Sequence, residues 1–592
     1  MRIVLVNWAP IWEGAGSGGG VNGYCQSLAL ALRERGHEVV SLFGGLIYVR
    51  RPRGPFIRRH EDWLGVRVFE VINSPVLAPS IAQFKDPMGE VSQPELEKAV
   101  GGLLGTLRPD VVHWHNLEGF SAGCVAAAGA CGARVIFSLH NYHPLCPQVT
   151  LARDHKWACH DFECGHACAR CVAARDPADE RRRREADHHA RSPDHLAAAA
   201  AALRAEWGSF KHELSWPKRL LVKGARVGRA WAELRRRSRE PLEPYLPGLP
   251  ASTPAEVRHP LPPRGPEGRG QAAAILARRR HAVGGPPQQQ RDPRDHPVLN
   301  VIQPERGDRP LNDYGRRRRA LVEMLASCHR VLAVSRFVAD KYAAAGVPRD
   351  RLSTLAIGTR INEIVRAGGG PVPPPPLRRT AGGLSRPVRL VFLGYNHFNK
   401  GLPLLADALG RLSPEHLGAI DLAVYALGGE TIEPRFRLLE PRLARLIMRH
   451  GFAFDDVPAL LAGRDLSLVL STWWDPAPQT VFESFACGVP VLGADLGGIP
   501  DFVEPGVNGL LFRGNDAADL VRRLAGVIDE PEMLHRLREG VRPPKDIAAH
   551  AAELEAVYRE EPAAGGRPAP GPNGRGQDAH PDSLSPVSSH QS

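Results

Sequence analysis

Two carboxylates, Asp475 and Glu483, stand with seven residues between them in Ser-Thr-Trp-Trp-Asp-Pro-Ala-Pro-Gln-Thr-Val-Phe-Glu, residues 471–483. Carboxylates accept hydrogen bonds from sugar and ribose hydroxyls. The pattern predicts a Pro-containing loop carrying Asp475 and a helix from about Thr480, with Glu483 in its first turn. Both acids can then point into one cleft, and the free amides of the helix start can hold a diphosphate. Taken alone, the residues leave a second reading open. Thr480-Val481-Phe482-Glu483 is also a capping-box pattern, in which Glu483 bonds the Thr480 amide.

A second set of candidate groups lies upstream. Glu13–Gly23 is rich in glycine, which lets backbone amides approach a phosphate or sugar closely, or makes a flexible loop with no ligand. His113-Trp114-His115-Asn116 and His140-Asn141-Tyr142-His143 each end an apolar run with polar side chains. They would line one cleft, or serve as satisfied structural histidines. Cys146, Cys159, Cys164, Cys168 and Cys171 crowd into 26 positions, with His155, His160 and His166 nearby. In a cytoplasmic protein a metal suits such a group better than disulfides. Cys159, Cys164, Cys168 and Cys171 offer the ligands of a structural zinc site; reduced thiols and a redox role are the alternatives.

Residues at strand ends need sheets to hold them. Ile3–Asn7, Val39–Phe43, Val66–Val71, Val111–His115, Val135–His140 and Val331–Ser335 read as buried strands, with helix-like stretches such as Tyr24–Arg35 between them. Continuous apolar strands alternating with helices predict a parallel sheet covered on both faces. After a Pro-rich stretch the alternation restarts, with strands at Leu390–Gly394, Ile420–Leu427, Leu466–Ser471 and Val489–Gly493. Leu402–Leu412, Val457–Ala462 and Thr480–Cys487 are the helices between them. The fold class is α/β, with two doubly wound Rossmann-like domains. The expected boundaries are 1–367 for the first domain, 368–387 for the linker, 388–560 for the second domain and 561–592 for a disordered tail. Within the first domain, 173–309 reads as an Arg/Pro/Ala-rich insertion, partly disordered.

The chain of 592 residues carries a net charge of +12. Between Val172 and Ala320 there are roughly 31 Lys/Arg against roughly 18 Asp/Glu, so the basicity belongs to one segment. That segment lacks the interleaved aromatics of a nucleic-acid surface, and no specific nucleic-acid partner is expected. Met1–Asn7 reads as a strand and not as a signal peptide, and no run of about eighteen apolar residues spans a membrane. A cytoplasmic protein is expected, with peripheral contact at the inner membrane face as a further option.

Taken together, these motifs resemble the family 4 retaining glycosyltransferases, whose fold is called GT-B: two Rossmann-like domains facing across a cleft. The resemblance runs from the Gly-rich loop through Asp110–Asn116, His140, Leu332–Ser335, Phe392–Gly394 and Asn399-Lys400-Gly401. It continues through the carboxylate pair, Gly488–Val491, Gly497–Pro500 and Gly506–Leu511, covering roughly 1–172 and 310–530. It implies transfer of a sugar from a nucleotide-diphosphate sugar, UDP- or GDP-linked, to a sugar, lipid or small-molecule acceptor, with retention and with no cofactor required. By the same resemblance Glu483 holds the donor ribose, Asp475 the transferred sugar, and Lys400 the diphosphate, helped by the amides near Gln479, Thr480 and Val481. Gly19 and Gly20 approach the donor from the opposite domain, and His140 sits near the reacting carbon. Two positions depart from the family pattern: Asp475 stands where Glu is usual, and Tyr395 where Arg is usual. A nucleotide-sugar epimerase on the same fold and a non-catalytic GT-B binding scaffold are the alternative readings.

Overall fold

The computed structural model describes residues 1–16, 18–50, 52–80, 85–153, 157–172, 175–191 and 310–560. Residues 192–309 of the expected insertion, the expected tail 561–592 and His155 lie outside them. The apolar runs form strands buried on both faces, as parallel strands covered by helices must be.

In the first half these are β1 (Arg2–Val6), β2 (Glu38–Gly44), β3 (Phe56–Arg59), β4 (Arg67–Ile72), β5 (Val111–Trp114) and β6 (Arg134–Leu139). A small antiparallel hairpin follows, β7 (Ala152–Arg153) with β8 (Trp157–Ala158), and then β9 (Arg330–Ala333) and β10 (Leu352–Thr354). The first sheet runs β10-β9-β6-β5-β1-β2-β4-β3. Only β3 is antiparallel to its neighbour. The chain lays strands to one side of β1 and then to the other, so the order reverses between β1 and β5.

The second half opens with a hairpin, β11 (Arg379–Thr380) and β12 (Gly383–Leu384). Its sheet is built from β13 (Val388–Tyr395), β14 (Ile420–Leu427), β15 (Arg445–Arg449), β16 (Leu466–Val469), β17 (Val491–Ala494) and β18 (Gly509–Phe512). The order is β15-β14-β13-β16-β17-β18, parallel throughout, with its reversal between β13 and β16. Ten expected strands are present. The edge strand β15 gave no apolar run, because an edge buries only part of its surface: its residues Arg445-Leu446-Ile447-Met448-Arg449 are half-buried or exposed, whereas β3 is mostly buried but half of it is arginine, Arg58 and Arg59.

Each sheet has its own core, one around Val4, Leu28 and Val112, the other around Leu422, Leu468 and Leu492. The last described helix, Ile547–Arg559, follows the second sheet but buries Ile547, Ala551, Leu554 and Tyr558 in the first core. A further helix, Pro177–Arg191, begins the segment read as an insertion. Its Arg184 is buried, pairs with Glu180 at 3.0 Å and donates to the carbonyls of Gly45 at 2.7 Å and Ala78 at 2.8 Å. One arginine of the basic tract therefore points inward to cap loops of the first sheet. No described helix is long and apolar enough to cross a membrane.

Candidate active site

Ligands of open parallel sheets bind beyond the carboxyl ends of the strands, where the strand order reverses. In the second sheet that point lies past β13 and β16. After β13 the chain makes a tight turn, Phe398–Lys400, and leaves it through Gly401 at φ 79°. A Cβ on Gly401 would fall 1.9 Å from the Leu470 carbonyl oxygen, so glycine is what lets this turn lie against the end of β16. The result brings Lys400 Nζ to 2.6 Å from Asp475 Oδ2, which also accepts the Ser471 hydroxyl at 2.9 Å. Asp475 is held from behind as well: its carbonyl accepts the Gly498 amide at 2.8 Å. A Cβ on Gly498 would meet the Pro476 carbonyl at 1.9 Å, which explains the small residue there.

The helix that follows, Gln479–Ala486, starts one residue earlier than expected, after Pro478, and no side chain caps it. Glu483 therefore lies in its second turn. A capping box is ruled out, because Pro478 offers neither a side-chain oxygen nor an N–H to share. The Val481 amide already bonds the Pro478 carbonyl at 3.1 Å, leaving the amides of Gln479 and Thr480 at the open end. Glu483 is 8% exposed, and burial pushes its carboxyl up to about 7. Beside it, burial and the Glu483 charge push the Tyr395 phenol above its ordinary range.

Across from this helix stands the glycine loop. Gly18 precedes the helix Gly19–Glu34, so Gly19 and Gly20 form its first turn and not the end of a loop. The Gly20 carbonyl accepts Gln479 Nε2 at 2.6 Å. A Cβ on Gly20 would come within 3.1 Å of the Gln479 side chain, and one on Gly19 within 3.9 Å of the Tyr395 hydroxyl. These glycines thus face the second half directly, Gly20 at a spacing a side chain would crowd and Gly19 at ordinary contact distance. Past β6, His140 is half-buried, with Nε2 3.2 Å from His115 Nδ1 and its ring centroid 4.9 Å from that of Tyr24. Burial pulls its imidazole down to about 3, so it is neutral at physiological pH.

The structure brings Lys400 to Asp475, and Gln479 to Gly20. Sequence reasoning missed Ser471, Tyr24 and the C-terminal residues His550 and Tyr558, which stand behind His140. A serine four residues before an acid carries no signal, and nothing local marks a C-terminal helix as a neighbour of β5. The cysteines carry no disulfide. All ten are free thiols. The thiols of Cys159 and Cys168 are raised by burial first and then by Cys146, which the zinc reading leaves out of its four ligands. Among the described residues no group of three or more His, Cys, Asp or Glu is arranged to hold a metal ion, so the zinc reading finds no assembled ligand set.

Comparison with known proteins adds a family to this geometry. Residues 19–191 match the family model described as "Glycosyl transferase 4-like domain", and residues 387–530 match "Glycosyl transferases group 1". A D-inositol 3-phosphate glycosyltransferase of Streptomyces bingchenggensis is 36% identical over 86 residues, 14% of this chain and 17% of that protein. A putative colanic acid biosynthesis glycosyltransferase, WcaL of Escherichia coli, is 26% identical over 224 residues, 36% of this chain and 52% of that protein. The chain thus spans between about a sixth and a half of the length of these relatives. Among solved structures, Anabaena Alr3699/HepE in complex with UDP is 13% identical with a TM-score of 0.46, covering 94% of this chain and 99% of that one. The two matched domains follow one another in the order of the two sheets, and the second contains Lys400, Asp475 and Glu483. The chain thus carries a glycosyl transferase 4-like domain followed by a glycosyl transferases group 1 domain.

Proposed function

We propose that this protein transfers a sugar from a nucleoside diphosphate sugar to an acceptor hydroxyl, with retention of the anomeric configuration. The observation that carries the reading is the Lys400–Asp475 contact of 2.6 Å at the reversal point of the second sheet, beside an open helix end that faces Gly19 and Gly20. In the reaction the bond between the anomeric carbon and the β-phosphate oxygen breaks, and the acceptor oxygen forms the new bond to that carbon. The acceptor proton passes to the leaving phosphate or to water. Charge builds up on the departing diphosphate, and preorganised positive groups aimed there lower the barrier. Lys400 supplies a full charge and the amides of Gln479 and Thr480 supply dipoles.

Asp475 accepts hydroxyls of the transferred sugar and holds Lys400 in place before the donor arrives. Glu483 accepts the ribose hydroxyls, and the raised carboxyl fits a group buried until a polar partner reaches it. His140, neutral, offers the reacting carbon a polar edge that carries no charge. The acceptor is a sugar, lipid or small-molecule hydroxyl.

The test is a thermal-shift screen against UDP, GDP, ADP, TDP and their sugars, on the protein and on Glu483→Ala. A ligand at a hundred times its dissociation constant stabilises by about 2.7 kcal/mol. A shift with one base, lost in the variant, identifies the donor and the ribose ligand together. A folded protein that none of these nucleotides stabilises would refute the transferase reading and leave the scaffold reading standing.

A further inference from the structure

Behind His140 lies a cluster that the proposed chemistry leaves unused. His113 on β5 and His115, just past its end, stack with centroids 4.0 Å apart, and His115 reaches His140. His113 bonds the Ser138 hydroxyl at 2.8 Å through Nε2, and through Nδ1 the Tyr558 hydroxyl at 2.6 Å. Tyr24, on the glycine-loop helix, packs its ring on His140 and gives its hydroxyl to His550 Nε2 at 2.7 Å. His113, His115, His550, Tyr24 and Tyr558 are each at most 4% exposed. Buried polar side chains of this kind are kept only when their hydrogen bonds are organised.

The cluster is assembled from elements far apart in sequence. His550 and Tyr558 come from the helix Ile547–Arg559, after the whole second half has been built, and their partners lie 526 and 445 residues earlier. An unrelated C-terminal helix could pack on the first core through Ile547, Ala551 and Leu554 alone. Instead it spends two polar side chains on the wall behind His140.

Resting on the reading of His140 as a group at the reacting centre, we propose that Tyr24 and His550 are positioning residues for it, so that the C-terminal helix completes the active site. The Tyr24 ring is the surface against which the His140 ring is set, and the hydroxyl bond to His550 fixes that ring. His115 fixes the other edge through Nε2 of His140. The wall also holds His140 neutral. The titratable groups around it are Tyr24 and Cys25 on the glycine-loop helix, His113 on β5 and His115 just past it, and His550 and Tyr558 on the C-terminal helix, with Lys545 just before it. Among the described residues no carboxylate is hydrogen-bonded into the cluster. Glu555, on the same helix, turns outward to Arg35, His37 and Arg559.

The experiment uses the full chain with UDP-glucose and GDP-mannose as donors and water as the default acceptor. His550→Leu and Tyr24→Phe should each lower kcat about tenfold with donor KM unchanged, the size of one lost hydrogen bond at a reacting centre. His550→Gln, whose amide oxygen can still accept from Tyr24, should recover most of the loss. The double variant His140→Ala/His550→Leu should be no slower than His140→Ala alone, because a positioning residue acts through the group it positions. Independent of turnover, the imidazole NMR signal of His140, assigned with His140→Ala, should be displaced in His550→Leu, where the Tyr24 ring it packs on has lost its anchor, and largely restored in His550→Gln. Additive losses in the double variant, or an unchanged His140 signal in His550→Leu, would overturn the proposal. Full turnover in His140→Ala overturns the role given to His140 itself, and the NMR signal alone then decides whether the wall holds the ring.

Discussion

The two reversal points of this molecule are built from opposite materials. Past β13 and β16 the second sheet presents charge: Lys400 against Asp475, and Glu483 one helix turn beyond an open N-terminus. Past β1, β5 and β6 the first sheet presents glycines and neutral histidines. The first half does own a charged group near these strand ends, but it is closed on itself. Arg317, fully buried, donates through Nε to Glu90 at 2.8 Å and through a terminal nitrogen to the His143 carbonyl at 2.8 Å. Although burial pushes the Glu90 carboxyl up, Arg317 and His143 hold it down at about 2. Charge in the first half is spent on folding, and charge in the second is left available to a ligand. On the proposed reading, the charged wall meets the leaving diphosphate and the neutral wall meets the acceptor.

Breaking each pair should therefore have different consequences. Arg317→Met takes the arginine from Glu90 and leaves it facing His143 alone of the two, and removing one partner of a buried pair typically costs about 3–5 kcal/mol. We expect that loss in denaturant unfolding, with the donor affinity of the protein that remains folded unchanged. Lys400→Ala should do the reverse. Its side chain is 29% exposed, and Asp475, 6% exposed, keeps the Ser471 hydroxyl when the lysine is removed, so the loss of stability should be smaller than that of Arg317→Met. Loss of a preorganised group facing the leaving charge should lower kcat by roughly a hundred- to a thousandfold. A Lys400→Ala chain that unfolds easily yet turns over normally would invert the comparison.

A sharper test lies in pH. Burial raises the Glu483 carboxyl to about 7, against an unfolded value near 4.5. For a raised carboxyl, the stability it confers is present below the unfolded value and is lost as pH rises through the folded one. The ligand-free protein should accordingly lose stability between about pH 4.5 and 7 through this group. Ribose hydroxyls prefer the ionised acceptor, so donor affinity should move the other way, tightening about tenfold from pH 6 to pH 8. Denaturant unfolding of the ligand-free protein reads the first effect and isothermal titration with donor the second, each on the protein and on Glu483→Gln; a slope that survives in Glu483→Gln would assign the titration elsewhere.

What was legible in the sequence follows the same division. The second-half site reads well because its residues sit within one strand–loop–helix passage: Asp475, Gln479 and Glu483 are local, and Lys400 follows the neighbouring strand directly. Uninterrupted apolar runs gave both sheets, since strands covered on two faces have no reason to alternate. The rear wall of the first-half site was invisible, because Tyr24 bonds a residue 526 positions away and such closure leaves no local pattern. The helix Gln479–Ala486 was placed one residue late for a different reason. Thr480 is a good cap in isolation, but Pro at the position before Gln479 starts the helix earlier and puts Glu483 into the second turn.

The smallest effect we expect concerns the place where the two walls touch. Gln479 Nε2 donates to the Gly20 carbonyl at 2.6 Å, at the end of the helix that is to receive the diphosphate. One neutral hydrogen bond contributes about 1 kcal/mol, or roughly a fivefold change in an equilibrium. Gln479→Ala removes the bond without removing the helix amide, so the diphosphate site keeps its dipole while the two walls lose one tie. Donor KM should then change by less than about tenfold and kcat less still, well short of the Lys400→Ala loss. A Gln479→Ala defect as large as that of Lys400→Ala would mean that the tie between the halves, and not the charge on one of them, limits the reaction. In that case the contrast between a charged wall and a neutral one would be secondary to how the walls are held together.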